Sequence, residues 1–311
     1  MSSKEGLLMV TLIGLLRTFT VAAQPLDCLP YQDRKTIRFR NGLKLNLTFP
    51  QFRDVRDSYT SLKKYEIKQL GPDLFEVNFG EFKTTANMHM ICVIADLSHR
   101  YHVNKLEDDL FRIQGSKFVL EGTSTLLGVF RELFFGEYKT NFKGKVVLDI
   151  GGFQGESAVY FWLLGAKKIV IYEPASKYFQ FVKKNVEMNH IDAEIHQSGI
   201  GNVNGTLLID VFSPNPPGVN HVPEKELIKI TNITEAISSS GADVAKLDCE
   251  GAEMSLTTVP NEILRKIPLY MLELHGEDVR EAVTSKFLSA GFRVRKTENL
   301  GNGLSIVHFR T

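Results

Sequence analysis

The chain has 311 residues, enough for one large or two modest domains with a buried core. Its 37 Lys and Arg nearly balance its 36 Asp and Glu, so no overall field draws it to nucleic acid or to an acidic membrane surface. Cys28, Cys92 and Cys249 lack metal-site spacing and favour reduced thiols in a cytoplasmic protein over a disulfide framework.

The N-terminal extension, residues 1–30, contains an apolar run at 6–16 that is followed by small residues at 21–23. The run is shorter than the ~20 residues of a membrane span, so no transmembrane segment is predicted. Leu8, Leu12 and neighbouring apolar residues instead predict an amphipathic helix that docks on the body. A cleaved signal peptide is the alternative. Against it, Glu5 offsets Lys4, and Arg17 and Thr18 lie between the run and the small residues.

Residues 31–140 predict an accessory α+β region that caps the substrate site. Alternating polarity around Asn41-Gly42 is a hairpin signal, and Gly71-Pro72 marks the end of a charged helical stretch. The predicted elements are a hairpin at 36–48, a helix at 54–70, short strands that include 90–94 and 118–120, and a helix at 123–135.

Residues 141–311 alternate short apolar runs with helical patterns. Repeated strand–helix units predict an α/β fold with a doubly wound parallel sheet. Two final strands at 293–297 and 304–309 predict an antiparallel hairpin at its C-terminal edge. The parallel strands are predicted at 146–150, 169–172, 194–197, 244–249 and 269–274, with helices at 156–164, 176–189, 231–240, from 252 and at 278–290.

A glycine-rich turn at 145–157, KVVLDIGGFQGES, joins the first strand of this sheet to a helix. Glycines let the backbone bend sharply, and a turn before a helix offers free N–H groups to a nucleotide-like ligand or a carboxylate. The dinucleotide fingerprint G-x-G-x-x-G does not fit, because its second glycine would fall on Phe153.

Ionisable residues end four of the predicted strands, at the edge where such sheets bind ligands. Asp149 and Glu173 end the first two strands. Alternation of side chains places Asp248 and Glu250 on one side of the fourth strand, and Glu273 and His275 on one side of the fifth. Charged side chains in a parallel sheet that is covered on both faces are tolerated when they form ion pairs or take part in function. Lys246, inside the fourth strand, is predicted to pair with a carboxylate and to have no catalytic role.

The segment 149–155 resembles the first motif of Rossmann-like class I methyltransferases that use S-adenosylmethionine (SAM). Together with KLDCEGAE at 246–253 and LELHG at 272–276, residues 134–276 resemble the FkbM-type family of methyltransferases. The resemblance implies a Rossmann-like methyltransferase domain at 141–311 that methylates a hydroxyl of a glycan, a lipid or another small molecule.

The resemblance also implies the roles of individual residues. Glu173 would hold the ribose of SAM, Gln197 and Ser198 the adenine edge, and Asp149, Gly151 and Gly155 the methionine end. The full cofactor set is Glu137, Tyr138, Asp149, Gly151, Gly152, Gly155, Glu173, Gln197 and Ser198, and the acceptor would face Asp248, Glu250 and His275.

Methyl transfer is an in-line displacement in which the sulfonium already supplies the leaving group, so the enzyme mainly positions the acceptor and removes its proton. His275 or Asp248 is predicted to accept that proton during transfer. A divalent metal on Asp248 and Glu250 is the less favoured alternative, because no ligand-spacing motif demands one.

Three other interpretations compete with this one. Asn215-Pro216-Pro217 resembles the signature of enzymes that methylate amino nitrogens, which would suit RNA or protein, although Gly218 replaces its aromatic residue. Nucleic acid is nevertheless not expected as a partner, given the neutral charge. A non-catalytic nucleotide-binding protein with the same fold is the second alternative. At single residues, Glu173 or Glu250 could serve only a helix start, and His275 only the structure.

Overall fold

The computed structural model describes residues 19–20, 35–39, 44–135, 138–211, 224–301 and 303–311. These divide into two compact units, one up to Lys105 and the other from Leu106 onward. The predicted N-terminal helix, the turn at Asn41-Gly42 and the Asn215-Pro216-Pro217 segment lie outside the described residues. The predicted domain boundaries after residues 30 and 140 stay predictions.

The described part of the first unit contains two three-stranded antiparallel sheets, in the orders β1-β2-β3 and β4-β5-β6, together with helices. A buried core that includes Phe52, Phe75 and Ile91 holds it together. Its elements are β1 Phe19–Thr20, β2 Lys35–Phe39, β3 Lys44–Leu47, α1 Phe49–Asp57, α2 Tyr59–Leu62, β4 Glu66–Gly71, β5 Leu74–Asn78, β6 Lys83–Ala86 and α3 Met88–Ser98.

The two strands of the predicted hairpin are confirmed, because β2 and β3 pair antiparallel. The helix predicted over 54–70 is wrong in its second half, since residues 66–71 form β4. The strand predicted at 90–94 is also wrong. These residues lie in α3, whose first turn is capped by the Asn87 side chain accepting the Met90 N–H at 2.8 Å. A short apolar run does not distinguish a buried helix from a strand.

The second unit begins within β7 and carries the predicted strand at 118–120 as β9 and the predicted helix at 123–135 as α4. Its elements are β7 His102–Glu107, β8 Leu110–Gln114, β9 Val119–Gly122, α4 Ser124–Phe135, β10 Val146–Ile150, α5 Glu156–Leu163, β11 Lys168–Tyr172, α6 Ser176–Met188, β12 Ala193–His196, β13 Gly199–Gly201, β14 Gly205–Val211, β15 Glu224–Asn232, α7 Ile233–Ser240, β16 Val244–Leu247, the 3-10 helix Ala252–Thr258, α8 Asn261–Leu264, β17 Leu269–His275, α9 Glu277–Ser289, β18 Arg293–Gly301 and β19 Leu304–Arg310.

The seven-stranded sheet of this unit has the order β12-β11-β10-β16-β17-β19-β18. The first five strands run parallel, whereas β19 lies antiparallel between β17 and β18. The predicted α/β fold with a doubly wound sheet and an antiparallel C-terminal hairpin is therefore confirmed. The central strands β10, β11, β16 and β17 are mostly buried and apolar, as expected of parallel strands that are covered on both faces.

A second, smaller sheet with the order β13-β15-β14 was not predicted. β14 and β15 form a long antiparallel ribbon in which Leu208 lies directly opposite Leu227, and both are exposed. Apolar residues such as Leu208 and Leu227 on the exposed face blur the period-two alternation that reveals a strand in sequence. The helix expected from Ala252 is a 3-10 helix instead.

Two asparagines one turn apart, Asn185 on α6 and Asn189 directly after it, bind the outer edge of β9. The Asn185 amide accepts from the Glu121 N–H at 2.8 Å and donates to the Glu121 carbonyl at 2.8 Å. Asn189 makes the same pair of bonds with Val119, at 2.9 and 2.6 Å. Asn185 also donates to the carbonyl of Gln154 at 2.6 Å, so it fixes the glycine-rich turn as well.

Among the described residues, no helix is both long and apolar enough to cross a bilayer. Cys92 and Cys249 are free thiols, and Cys28 lies outside the described residues. The predicted cytoplasmic location stays a prediction.

Replacing Asn185 by alanine is expected to lower the free energy of unfolding by roughly 2–4 kcal/mol, because it leaves buried backbone groups of Glu121 and Gln154 without a partner. Lys183→Ala, an exposed change on the same helix, is the control and should stay within about 0.5 kcal/mol of wild type. Urea unfolding measures both. Equal stability of the two variants would contradict the role assigned to Asn185.

Candidate functional site

A cavity of about 910 Å³ lies at the carboxyl ends of β10, β11, β16 and β17. Its described lining is strongly acidic, with Lys246 as the basic residue among seven carboxylates. The acidic lining residues are Glu132, Glu156, Glu173, Asp210, Asp248, Glu250 and Glu273.

The glycine-rich turn after β10 packs directly on the backbone that follows β16. A Cβ added to Gly151, whose φ is +86°, would lie 1.8 Å from the carbonyl oxygen of Asp248. A Cβ on Gly152 would lie 2.4 Å from the Ile171 side chain. Only glycine fits these positions, so the turn can lie directly against the backbone that follows β16.

The backbone N–H groups of the turn are already bonded within the protein. Each of the five from Gly151 to Gly155 donates to a carbonyl or a carboxylate at 2.8–3.1 Å. The acceptors are the carbonyls of Tyr172 and Gly152 and the carboxylates of Glu173 and Glu156. The expectation of free N–H groups for a ligand is therefore wrong, because side-chain carboxylates occupy the place that a phosphate would take.

Glu173 ends β11 and is buried, with both carboxylate oxygens accepting backbone N–H groups. Oε2 accepts from Phe153 and Oε1 from Ala175, each at 2.9 Å. The Ala175 bond lies at the start of α6, so Glu173 does serve that helix start. It also lines the cavity, and each oxygen keeps a second lone pair for a ligand hydroxyl. Burial raises the pKa of Glu173 to about 7.

Asp149 is fully buried and lies beneath the cavity rather than in its lining. Its Oδ2 accepts from the Ser157 hydroxyl at 2.5 Å, and its Oδ1 lies 3.4 Å from the Lys246 ammonium. Burial raises the pKa of Asp149, and Lys246 opposes that effect. The predicted pairing of Lys246 with a carboxylate is confirmed.

His275 lies among three carboxylates. Its Nδ1 is 3.4 Å from Glu253 Oε1, and its Nε2 is 3.5 Å from Glu250 Oε2 and 3.9 Å from Glu273 Oε1. The adjacent Glu253 raises the pKa of His275 to about 9 despite partial burial. An imidazole with this pKa already carries its proton at neutral pH. The assignment of His275 or Asp248 as the proton acceptor stays a prediction.

The segment after β16 separates the roles of two glutamates. Glu253 is buried and accepts the N–H groups of Cys249 at 2.7 Å and Gly251 at 2.8 Å, so it satisfies the start of the 3-10 helix. Glu250 has a φ of +52°, which is strained for a residue with a side chain, and its side chain is 86% exposed at the cavity. The helix-start alternative thus fits Glu253 and not Glu250.

The remaining predicted cofactor residues lie in different surroundings. Tyr138 lines the cavity and donates its hydroxyl to Glu273 at 3.0 Å. Ser198 also lines the cavity and donates to the Gly199 carbonyl at 2.9 Å. Gln197 is exposed and donates to the Ser176 hydroxyl instead, and Glu137 lies outside the described residues.

Sequence reasoning missed two parts of the cavity wall. Glu156 is buried at the start of α5, where burial raises its pKa to about 8. An apolar wall comes from one face of the β14–β15 ribbon, and the Phe153 ring packs on Tyr178 with centroids 4.5 Å apart. The ribbon residues in the wall are Leu207, Ile209, Ile228 and Ile230. Their period-two spacing was the signal that could have revealed them.

Asp248, Glu273 and His275 form the set of described residues that could hold a cation, with one ligand atom from each and all within 4.8 Å of one another. This set differs from the predicted pair of Asp248 and Glu250. A divalent cation there would require His275 to lose its proton first.

The sequence matches no family model and no curated protein. Among solved structures, it is similar to a candidate SAM-dependent methyltransferase from Streptococcus mutans, at 10% identity over 90% of this chain and 87% of that one, with a TM-score of 0.44. It is also similar to the ribosomal protein L11 methylase of Lactobacillus delbrueckii subsp. bulgaricus, at 13% identity over 57% and 76%, with a TM-score of 0.35.

A third similar structure is the tRNA m1G37 methyltransferase of M. jannaschii, at 13% identity over 65% of this chain and 56% of that one, with a TM-score of 0.40. At these identities and scores the likeness concerns the general fold. It says nothing about the acceptor of this chain.

The raised pKa of Glu156 predicts that the ligand-free protein loses stability as pH rises. Between the unfolded value near 4.5 and the folded value near 8, the folded chain holds a proton that the unfolded chain has released. The stabilisation by this proton is fully present below the unfolded pKa and is lost as the pH rises through the folded pKa. From pH 5 to 8 the free energy of unfolding should fall by on the order of 2–4 kcal/mol.

Urea unfolding at both pH values measures this effect. Glu156→Gln should lose less stability than wild type over the range, whereas Glu187→Gln, an exposed change on α6, should follow wild type. Identical pH dependence of wild type and Glu156→Gln would contradict the prediction.

Proposed function

We propose that the chain is a SAM-dependent methyltransferase. The observation that carries this proposal is the charge of the cavity, in which seven described acidic side chains accompany one lysine and only Glu156 has its pKa raised above neutral, to about 8. Such a lining attracts a cationic ligand and repels one with phosphates. SAM combines an adenosine with a sulfonium and an amino group, so it brings positive charge into the cavity.

The hydrogen bonds within the glycine-rich turn support the same cofactor. A nucleotide or dinucleotide places its phosphates on free N–H groups at a helix start, and here Glu173 and Glu156 accept the N–H groups of Phe153 and Gln154. A pyrophosphate would have to displace both carboxylates and would remain beside them. The non-catalytic nucleotide-binding alternative therefore has less support than a sulfonium cofactor.

We further propose that the acceptor is a hydroxyl of a glycan, a lipid or another small molecule, as in the FkbM-type family. The apolar ribbon wall, with Leu207 and Ile230, suits an acceptor with apolar or sugar-ring surface. The carboxylates at the strand ends, Asp248 and Glu250, disfavour a polyanion such as RNA.

In this proposal Asp248 accepts the acceptor proton. SAM, when bound, would supply its methyl group as a sulfonium, so that a C–S bond breaks, its electron pair returns to sulfur and a C–O bond forms. The released proton passes from the acceptor oxygen to the Asp248 carboxylate, which is part exposed and lines the cavity. His275 stays protonated and holds Glu250, Glu253 and Glu273 beside it.

SAM is expected to bind with a micromolar Kd, whereas NAD and ATP give no heat at millimolar concentration, as measured by calorimetry. Glu173→Gln should weaken SAM about 10–100-fold, because a hydrogen bond to a charged group contributes about 1.5–3 kcal/mol. Glu194→Gln on the exposed end strand is the control. Tighter binding of NAD than of SAM would overturn the cofactor assignment.

Turnover should fall about 10²–10⁴-fold in Asp248→Asn, with SAM binding preserved, because the variant lacks the proton acceptor. Asp210→Asn, in the same cavity but on the ribbon, should stay within about threefold of wild type. Initial rates come from tritiated SAM with fractionated cell extract. Wild-type rates in the Asp248→Asn variant would disprove the assignment.

The same assay separates the alternatives for metal and acceptor. If EDTA abolishes wild-type turnover and Mg²⁺ restores it, Asp248 is a metal ligand rather than a base. Label that enters the glycan, lipid or small-molecule fraction supports the proposed acceptor class. Label in RNA or protein would favour the N-methylation alternative and overturn the hydroxyl acceptor.

A further inference from the structure

Lys246 connects the two halves of the proposed site. Its ammonium donates to the carbonyl of Gly151 at 2.7 Å and lies 3.4 Å from Asp149 Oδ1 and 3.6 Å from Asp248 Oδ2. The Gly151 carbonyl lies at hydrogen-bond distance from the ammonium, and the two carboxylate oxygens lie at ion-pair distance. One partner belongs to the glycine-rich turn, one to β10 beneath it, and one is the proposed proton acceptor.

The position of Lys246 is unusual for a lysine. It is 3% exposed and lies in β16 between Asp149 on β10 and Met271 on β17. Burial alone would lower the pKa of this lysine, but the carboxylates of Asp149 and Asp248 raise it instead. The side chain therefore remains charged in the strand interior, where an apolar residue would pack at less cost.

Further acidic groups lie near this lysine, among them Glu173, which follows β11. Glu156 acts from α5 and Glu273 from β17, in addition to Asp149 on β10 and Asp248 on its own segment. The Asp149 carboxylate is held in turn by the Ser157 hydroxyl. A continuous chain of polar contacts thus runs from α5 through Asp149 and Lys246 to Asp248.

We propose that Lys246 is a positioning residue, which holds the Gly151 carbonyl of the turn and the Asp248 carboxylate at a fixed separation so that the acceptor proton meets its base. This role rests on the proposed function. It goes beyond the simple ion pair expected from sequence, because the lysine acts on turnover through Asp248 and not through the stability of the sheet.

A double-mutant cycle tests the role of Lys246. In the wild-type background, Lys246→Met should lower the initial rate about 10–100-fold, measured with tritiated SAM and the extract fraction that wild type labels. In the Asp248→Asn background the same change should alter the rate by less than about threefold, because the group that Lys246 positions is already absent. Lys246→Arg should recover part of the rate, since it keeps charge and donors.

A merely structural lysine would give a different result. Its removal would lower the rate by the same factor in both backgrounds, and this outcome would overturn the proposal. Lys168→Met, which breaks the exposed pair between Lys168 and Glu194, is the matched control and should leave the rate unchanged. Thermal unfolding checks that each variant is folded. If Lys246→Met does not fold, Lys246→Arg takes its place in the double-mutant cycle.

The two proposals fail in different ways. If wild type binds no SAM by calorimetry and labels no extract fraction, the proposed function is wrong. If wild type labels an acceptor, but the double variant loses rate by the product of the two single-variant factors, only the positioning role of Lys246 is wrong.

Discussion

The close approach of the β10 turn to the backbone after β16 constrains the whole site. The ladder between β10 and β16 brings their carboxyl ends together, and at Gly151 there is no room for a Cβ against the Asp248 carbonyl. Lys246 reaches the turn carbonyl across the same gap. Asn185 and Gln154 hold the turn from the opposite side. The positions of the Lys246 ammonium and the Asp248 carboxylate therefore depend on the close contact at Gly151.

Much of the fold was predictable because it depends on local sequence. The strand, turn and helix around Gly151 follow from an apolar run, three glycines and a helical pattern that all lie within a few residues of one another. The parallel sheet follows from repetition of that unit. Failures occurred where a pattern was ambiguous, as at the short apolar run in α3 and in the exposed β14–β15 ribbon.

Residue types at the site were predictable, whereas their electrostatic state was not. Asp149 looks like a ligand in sequence but lies beneath the cavity, because Ser157 and Lys246 enclose it. His275 looks like a base in sequence, but Glu253, the nearest of its three carboxylates, raises its pKa to about 9. Both outcomes depend on partners that only the folded chain brings close.

The Asn185 and Asn189 amides also have a consequence for association between chains. β9 is the outer strand of a three-stranded sheet with the order β7-β8-β9, and an outer strand offers unpaired backbone groups to any other extended chain. Here the two amides, spaced by one helical turn, take up the N–H and carbonyl groups of Val119 and Glu121. A helix thereby occupies the place of a further strand, and this edge is closed to the strand addition that begins many aggregates.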